Sequence, residues 1–470
     1  MRLTLLTVCI CVAPVCAAAQ TAPAAASRTP VALTIDEALQ YAAEHYPTVR
    51  AALEQVNVSS SGVDVAKAAY LPRLDSLWQT NRATANNIFG QLLPQSVVPS
   101  MSGPVLPNVS SGSVWGSAVG ALFSWEPADF GLRQATVSAA EAATARARAG
   151  EALTRLDVQA AVAAAFLGLA GAQRTVSALQ ADLGRRDVLA RVVHTLVDNQ
   201  LRPGAEASRS DAERAAAQTR LIQAQQVVTL GEIALARILG MNGGPVVIDS
   251  AALADRVPAE AITAASVAHP LTQVHQAAVD VAKAQEDVLA HTDRPRLYLQ
   301  SSLFARGSGA HADGELDGGI SGLGLERANW AAGVQIVFPN AFDFTSLRAR
   351  KAAAAASTRS EAALFDEAVL TVTSQRQTAA AMLQAARAIA ANTPIQLAAA
   401  QQTETQARAR YQAGLASIIE VADAQSLLAQ AEVQDQLARI DVWRALLAQA
   451  VAQGTLAPFL AVTSPSIGVR

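Results

Sequence analysis

The sequence predicts an α+β membrane protein assembled from two copies of one unit, each joining a short strand pair to a very long helical hairpin. Three observations carry this. Pro47 and Pro270 lie 223 residues apart, as do Pro72-Arg73-Leu74 and Pro295-Arg296-Leu297. Between these anchors the same offset matches Val56 with Val279, Val58 with Val281 and Asp64-Val65 with Asp287-Val288, the mark of an internal duplication. Four segments alternate apolar and polar residues with period two, and two Ala-rich tracts run about 70 residues each, about 105 Å at 1.5 Å per residue.

At the start of the chain, Arg2, the apolar run Leu3 to Val15 and Ala17-Ala18-Ala19 read as a secretory signal peptide over residues 1–19. Cys9, Cys11 and Cys16 all fall inside it, so the exported chain is expected to hold no disulfide or thiol site. Val15 before Cys16 is larger than the residue a lipidation signal carries there. Removing Arg2 moves the formal charge from −3 to −4, and no basic excess points to nucleic acid. No run reaches the 18 or so apolar residues of a membrane helix, so any crossing is expected of strands.

Repeat 1 spans 20–240, a linker 241–258, repeat 2 259–454 and a tail 455–470. Each repeat begins with a short helix (Ile35 to His45; Ala259 to Ala268) and a helix opened near proline (Thr48 to Tyr70; Leu271 to Ala290). Pro-Arg-Leu then stops the helix and starts a strand hairpin, 74–126 or 297–338. Leu297, Leu299, Leu303 and Ala305 alternate with Tyr298, Gln300, Ser302 and Arg306. Trp330, Val334 and Ile336 alternate with Ala331, Gly333 and Gln335, and Val119, Phe123 and Trp125 share a face opposite Ala118, Gly120 and Ser124. Val119, Phe123, Leu299, Leu303, Val334 and Ile336 are therefore expected to face lipid. The strand from Leu74 to Arg82 alternates poorly. Trp78, Trp115, Trp125 and Trp330 lie in these strands, as the interface aromatics of membrane barrels do. The loops Asn87 to Ser113 and Gly307 to Asn329, rich in Gly, Pro, Ser and Asn, are expected to face outward.

The long tracts, Ala128 to Asn199 and Phe342 to Ala409, are followed by return helices Ser208 to Leu239 and Ser417 to Gln453. A kink is expected in the second tract at Thr393-Pro394, read as a cap and an N1 proline. The second reversal lies in YQAGLASIIEVADA, Tyr411 to Ala424. Gly414 supplies a positive-φ residue, and Ser417 with Glu420 forms a capping box. In the first reversal, near 201–208, Pro203-Gly204 is followed by Ser208 and Asp211, with the cap one residue later after its glycine.

Enzyme chemistry finds no foothold: H-E-x-x-H, G-x-S-x-G and G-x-x-x-x-G-K are all absent. The six histidines are scattered, and His269 and His275 do not share a helix face. Met101, Met241 and Met382 make no thioether path. No cofactor or metal is expected.

Four strands cannot close a membrane barrel, and an open edge in lipid leaves backbone groups unpaired, so copies must pool strands: two give eight, three give twelve. The element order, the duplication, the two Pro-Arg-Leu entries and the tip sequence resemble the TolC-type outer-membrane efflux factors over about Thr34 to Gly454. That resemblance implies a homotrimer with a 12-stranded outer-membrane β-barrel continued by a 12-helix periplasmic α-barrel. It implies the exit duct of a tripartite system fed by an inner-membrane pump through a periplasmic adaptor. Glu420 and Asp423 match the family's periplasmic gate, and Tyr411 a tyrosine that helps hold the closed state, whereas Ala416 stands where some members carry arginine. The tips, Pro203, Gly204 and Ala205 with Gly414, Leu415, Ala416 and Ser417, are expected to contact the adaptor. Residues 20–33, 242–258 and 455–470 would belt the tunnel. The alternative is a periplasmic coiled-coil scaffold or adaptor whose extended segments form a small soluble domain.

Overall fold

The computed structural model describes residues 32–88, 92–99, 103–107, 111–241, 246–250, 253, 258, 268–339 and 343–463. The expected signal peptide, Cys16, most of the helix expected at Ala259 to Ala268 and most of the segments expected to form the belt lie outside them.

Helices α1 (Ile35–His45) and α2 (Pro47–Ala68) lead to strands β1 (Arg73–Thr84) and β2 (Ser113–Ala128), then to α3 (Leu132–Asp198) and α4 (Gly204–Leu239). The second half repeats this with α5 (Pro270–His291), β3 (Arg296–Ser308), β4 (Arg327–Val337), α6 (Phe344–Gln412) and α7 (Ile418–Gln453), and α8 (Ala457–Thr463) follows. Prolines open α2 and α5 at their first positions, where the missing N–H costs nothing. Thr34 starts α1 with a capping box to Glu37.

The strands form one antiparallel sheet in the order β1-β2-β3-β4. β1 pairs along its whole length with β2 despite its poor alternation, because cross-strand neighbours settle what its own pattern leaves open. Trp78 pairs with Val119 and Leu74 with Phe123. Ala121 pairs with Leu303 and that with Trp330, while Leu299 pairs with Val334 and Leu297 with Ile336. The register thus puts all six residues expected to meet lipid on one face. Leu303, Val334 and Ile336 are 63, 66 and 59 % exposed there, a bare apolar surface that suits hydrocarbon. β1 and β4 each have a neighbour on one side only, so both edges present an unpaired ladder.

The first loop departs from the outward placement expected of it. Val97 and Val98 fold onto the opposite sheet face and pack with Leu77, Leu122 and Phe304, held by Gln95, whose side chain bonds Val97 N, Val98 N and Val98 O. That face is apolar there and needs cover. The second loop also doubles back: a Cβ on Gly322 would sit 1.7 Å from Trp115 O and one on Gly307 1.7 Å from Gly324 O, so only glycine fits at either contact.

Among the helices, α3 packs on α4 and α7, and α7 on α6; nearer the sheet, α2, α3, α5 and α6 follow one another. α4 and α2 therefore bound one side of the wall and α6 the other. Both edges carry exposed apolar side chains, Ile222, Leu230 and Ile233 on α4 and Leu370, Met382 and Ile395 on α6. The largest core joins α1, α8 and Leu253 to α3, α4 and α7 around Phe166, Leu167, Trp443 and Phe459. Trp443 Nε1 donates to Leu253 O at 2.7 Å and meets the Phe459 ring edge-on.

Three helical expectations are corrected. α6 runs unbroken through Pro394, and Thr393 donates its hydroxyl to Asp435 Oδ1 at 3.1 Å instead of capping a new helix. Packing along α7 holds the turn that the missing amide weakens. Ser208 is no cap: α4 starts four residues earlier at Gly204, with Pro203 before it and no side-chain cap bond. Finally, α3 contains an 18-residue window long and apolar enough to cross a membrane by composition, because alanine and glycine interleave its few charges.

Candidate gate at the helical tips

Both hairpins end their first helix with the same bond pattern. Leu201 N donates to Leu196 O, and Leu415 N to Arg410 O, five residues back in each case. Gly414 takes the required left-handed conformation in the second tip (φ 77°). In the first, Gln200 takes it (φ 61°), and Gly204, expected to end that helix, begins the next. A left-handed glutamine costs about 1–2 kcal/mol more than glycine there, and its sequence gave no sign of it.

The two tips share one apolar cluster: Val193, Ala207, Tyr411, Ala416, Ile418 and Val421. Tyr411 is 2 % exposed and its hydroxyl donates to Glu206 Oε2 at 2.8 Å. Arg202 stacks its guanidinium over the Tyr411 ring at 4.8 Å, donates to Tyr411 O at 3.2 Å and lies 3.7 Å from Glu206. Burial, then the hydrogen bond and charge of Glu206, push the phenol up to about 12, against a smaller opposing effect of Arg202. Tyr411 thus fastens the second hairpin to the first through groups that sequence reasoning did not single out.

Glu420 and Ser417 make the expected reciprocal cap, Glu420 N to Ser417 Oγ at 3.4 Å and Ser417 N to Glu420 Oε1 at 3.5 Å. Arg410 approaches Glu420 at 3.6 Å with both side chains about half exposed, a pair worth little. Asp423 is exposed and makes no hydrogen bond or ion pair with the described residues. It begins an exposed stripe on α7 that continues through Leu427, Gln430, Gln434, Asp441 and Arg444. Pro203, Gly204, Ala205, Gly414, Leu415 and Ser417 are exposed, whereas Ala416 is buried in the tip cluster and presents no side chain to a partner.

Farther from the tips, Arg186 is 2 % exposed and bonds Asp182, Glu213 and Ser426 Oγ, so α3, α4 and α7 meet on one guanidinium. Arg185 grips Glu432 with two bonds of 2.9 and 2.7 Å. Charged pairs are too common along these helices for their partners to be read from spacing. Where β2 meets α3, Arg133 bonds Asp129 at 2.9 Å and covers the Tyr70 ring, while Trp125 Nε1 donates to Tyr70 O. Trp125 and Trp115 stand near opposite ends of β2. Trp78 and Trp330 lie mid-ladder, level with Val119 and Ala121. Among the described residues no group of three or more His, Cys, Asp or Glu is arranged to hold a metal.

A sheet bare on one face and open at both edges, continued by a wall of long helices, defines a subunit of an outer-membrane channel with a tunnel. The family model for outer membrane efflux proteins matches residues 38–241 and 262–454, and the chain belongs to that family. Its fold is similar to that of VceC from Vibrio cholerae (TM-score 0.70, 18 % identity, 90 % of this chain and 96 % of that one). CmeC of Campylobacter jejuni is alike at TM-score 0.71 and 15 % identity over 89 % and 85 % of the two chains. The open-state MtrE channel of Neisseria gonorrhoeae follows at 0.66 and 18 % over 90 % and 89 %. No curated protein sequence matches the chain. Channels of this class are trimers of a β-barrel continued by an α-barrel, and three of these four-stranded sheets supply twelve strands. The protein is an outer-membrane exit duct for efflux whose helices extend into the periplasm, and the scaffold alternative falls away. The family is one of transport channels that work with an adaptor and an inner-membrane pump.

Proposed function

We propose that the tips form the periplasmic gate of this duct, with Tyr411 as its fastening and Glu420 and Asp423 as its charge ring. The observation that carries this is the Tyr411–Glu206–Arg202 contact, which ties the hairpin bearing the two exposed carboxylates to its neighbour. Three copies would bring six carboxylates around one axis. Such a ring concentrates cations and makes the closed pore cation-selective and sensitive to divalent ions.

Closing the ring uses the two edges: β1 of one copy against β4 of the next, and the apolar side chains of α4 against those of α6. The exposed tip residues Pro203, Gly204, Ala205, Gly414, Leu415 and Ser417 are offered to the adaptor, and Trp115 and Trp125, near opposite ends of β2, to the two membrane interfaces, whereas Trp78 and Trp330, also expected there, lie mid-ladder.

The gate is tested in planar bilayers with the double change Glu420→Gln and Asp423→Asn. Reduced cation selectivity and loss of divalent block, with trimers intact, is the expected result. Unchanged selectivity and block would leave these residues as a helix cap and put the gate elsewhere.

A further inference from the structure

His269 lies 5 % exposed at the joint where the second repeat begins and the last long helix ends. Its Nδ1 accepts the backbone N–H of Leu271 at 3.1 Å and so caps α5, and its Nε2 lies 3.0 Å from Val451 O, one of the last carbonyls of α7. The two bonds fix the ring as the neutral Nε2–H tautomer, because Nδ1 must offer a lone pair to an N–H. The joint is tight: a Cβ on Gly454, the C-cap of α7, would stand 2.7 Å from Pro270 Cδ and 3.0 Å from His269 Cα. Arg376 of α6 grips the same helix end, its Nε donating to Ala452 O at 3.1 Å.

We propose that His269 is an acid-sensitive clasp: a proton on Nδ1 sets N–H against N–H at Leu271 and strips α5 of its cap, leaving the Nε2–H bond to Val451 O as the ring's one remaining hydrogen bond at the joint. α5 leads straight into β3, so the clasp couples the membrane sheet to the tip-bearing hairpin.

Two charged groups face the ring. Asp157 on α3 favours its protonation and Arg376 on α6 opposes it, while burial, the largest effect, holds the imidazole below its ordinary value. A lowered histidine pKa gives stability that is complete above about pH 6.5 and lost as pH falls toward the folded value. Asp157 is itself pushed up by burial, so its titration must be separated from that of His269.

The test is amide hydrogen exchange of the purified full-length channel between pH 7.5 and 5, corrected for intrinsic rates and read at residues 271–274. Protection there should fall progressively below about pH 6.5, by at most about tenfold per pH unit, and level off once the folded imidazole titrates. His269→Asn, which keeps a capping oxygen but cannot titrate, should flatten that profile. Asp157→Asn should leave the onset near pH 6.5 and extend the fall to lower pH, because removing the charge that favours the imidazolium lowers the folded value further. Unchanged wild-type protection down to pH 5, or an equal fall in His269→Asn, overturns the clasp. Burial raises the Asp157 pKa, so acid stabilises the folded joint at that carboxyl and its own titration cannot produce the fall.

Discussion

The two helical hairpins reverse the chain with one backbone pattern and different side chains. The first tip turns on Gln200 and enters α4 without a side-chain cap, while the second turns on Gly414 and enters α7 through the Ser417–Glu420 box. The first contributes Arg202 and Glu206, which receive Tyr411, and the second contributes Tyr411 and carries two exposed carboxylates, Glu420 in its capping box and Asp423. Duplication thus supplied two equivalent turns, and divergence made one a socket and the other a latch with charge. A ring of identical tips would have nothing to hold apart from its own symmetry mates.

The sharpest test of that division lies in the buried ions. Asp182 in the first hairpin is fully buried against Arg186, also buried, so Asp182→Ala leaves that guanidinium with Glu213 as its one carboxylate partner among the described residues and should cost about 3–5 kcal/mol. Asp435 in the second hairpin is as deeply buried, but its partner Arg439 is 34 % exposed and can turn to water. Asp435→Ala should cost about 1–3 kcal/mol. Thermal unfolding of the two variants should rank them in this order, and equal losses would erase the contrast.

In the sheet the halves should behave alike, which confines the divergence to the helices. Leu74→Arg in β1 and Val334→Arg in β4 each place a charge on the bare apolar face. Each should cost about 2–4 kcal/mol if near the bilayer midplane, against little for Gln335→Arg on the other face. Yield of folded trimer in membranes reads this out.

At the latch, Tyr411→Phe removes one hydrogen bond to a charged acceptor, about 1.5–3 kcal/mol, and should raise the open fraction of the pore in bilayers. The raised phenol pKa means the contact is fully present below about pH 10 and lost as pH climbs through about 12. Of the chain's five tyrosines, Tyr411 should ionise well above the ordinary range in ultraviolet titration, and Glu206→Gln should bring it down.

Much of the architecture was legible because periodicity and punctuation act locally. The two Pro-Arg-Leu stops mark where strands begin, Gly414 and Ser417 mark the second tip, and period-two alternation assigns the faces of β2, β3 and β4. What escaped was set by distant contact. Nothing around Gln200 announces a left-handed residue, Val97 and Val98 read as loop until the sheet face they cover is known, and Pro394 breaks helices unless a neighbour such as α7 holds the turn. For the proposed gate, Tyr411, Glu420 and Asp423 came from the resemblance of the tip sequence to a known family, but Arg202 and Glu206 lie about 205 residues away, and no local pattern pairs them with Tyr411.

The smallest effect separates the tips most cleanly, because it changes one hydroxyl in each. Ser417 accepts from Glu420 N at the first turn of α7, and Ser417→Ala should cost about 1 kcal/mol by freeing that amide. Ser208 sits exposed inside α4, where no amide needs it. There alanine is the better helix former, and Ser208→Ala should be neutral or stabilising by up to about 0.5 kcal/mol. Opposite signs for the same substitution, measured as shifts of the unfolding midpoint, are expected of two tips that share a turn but not a cap. A loss at Ser208 equal to that at Ser417 would mean that the first tip is capped after all and that α4 starts later than Gly204.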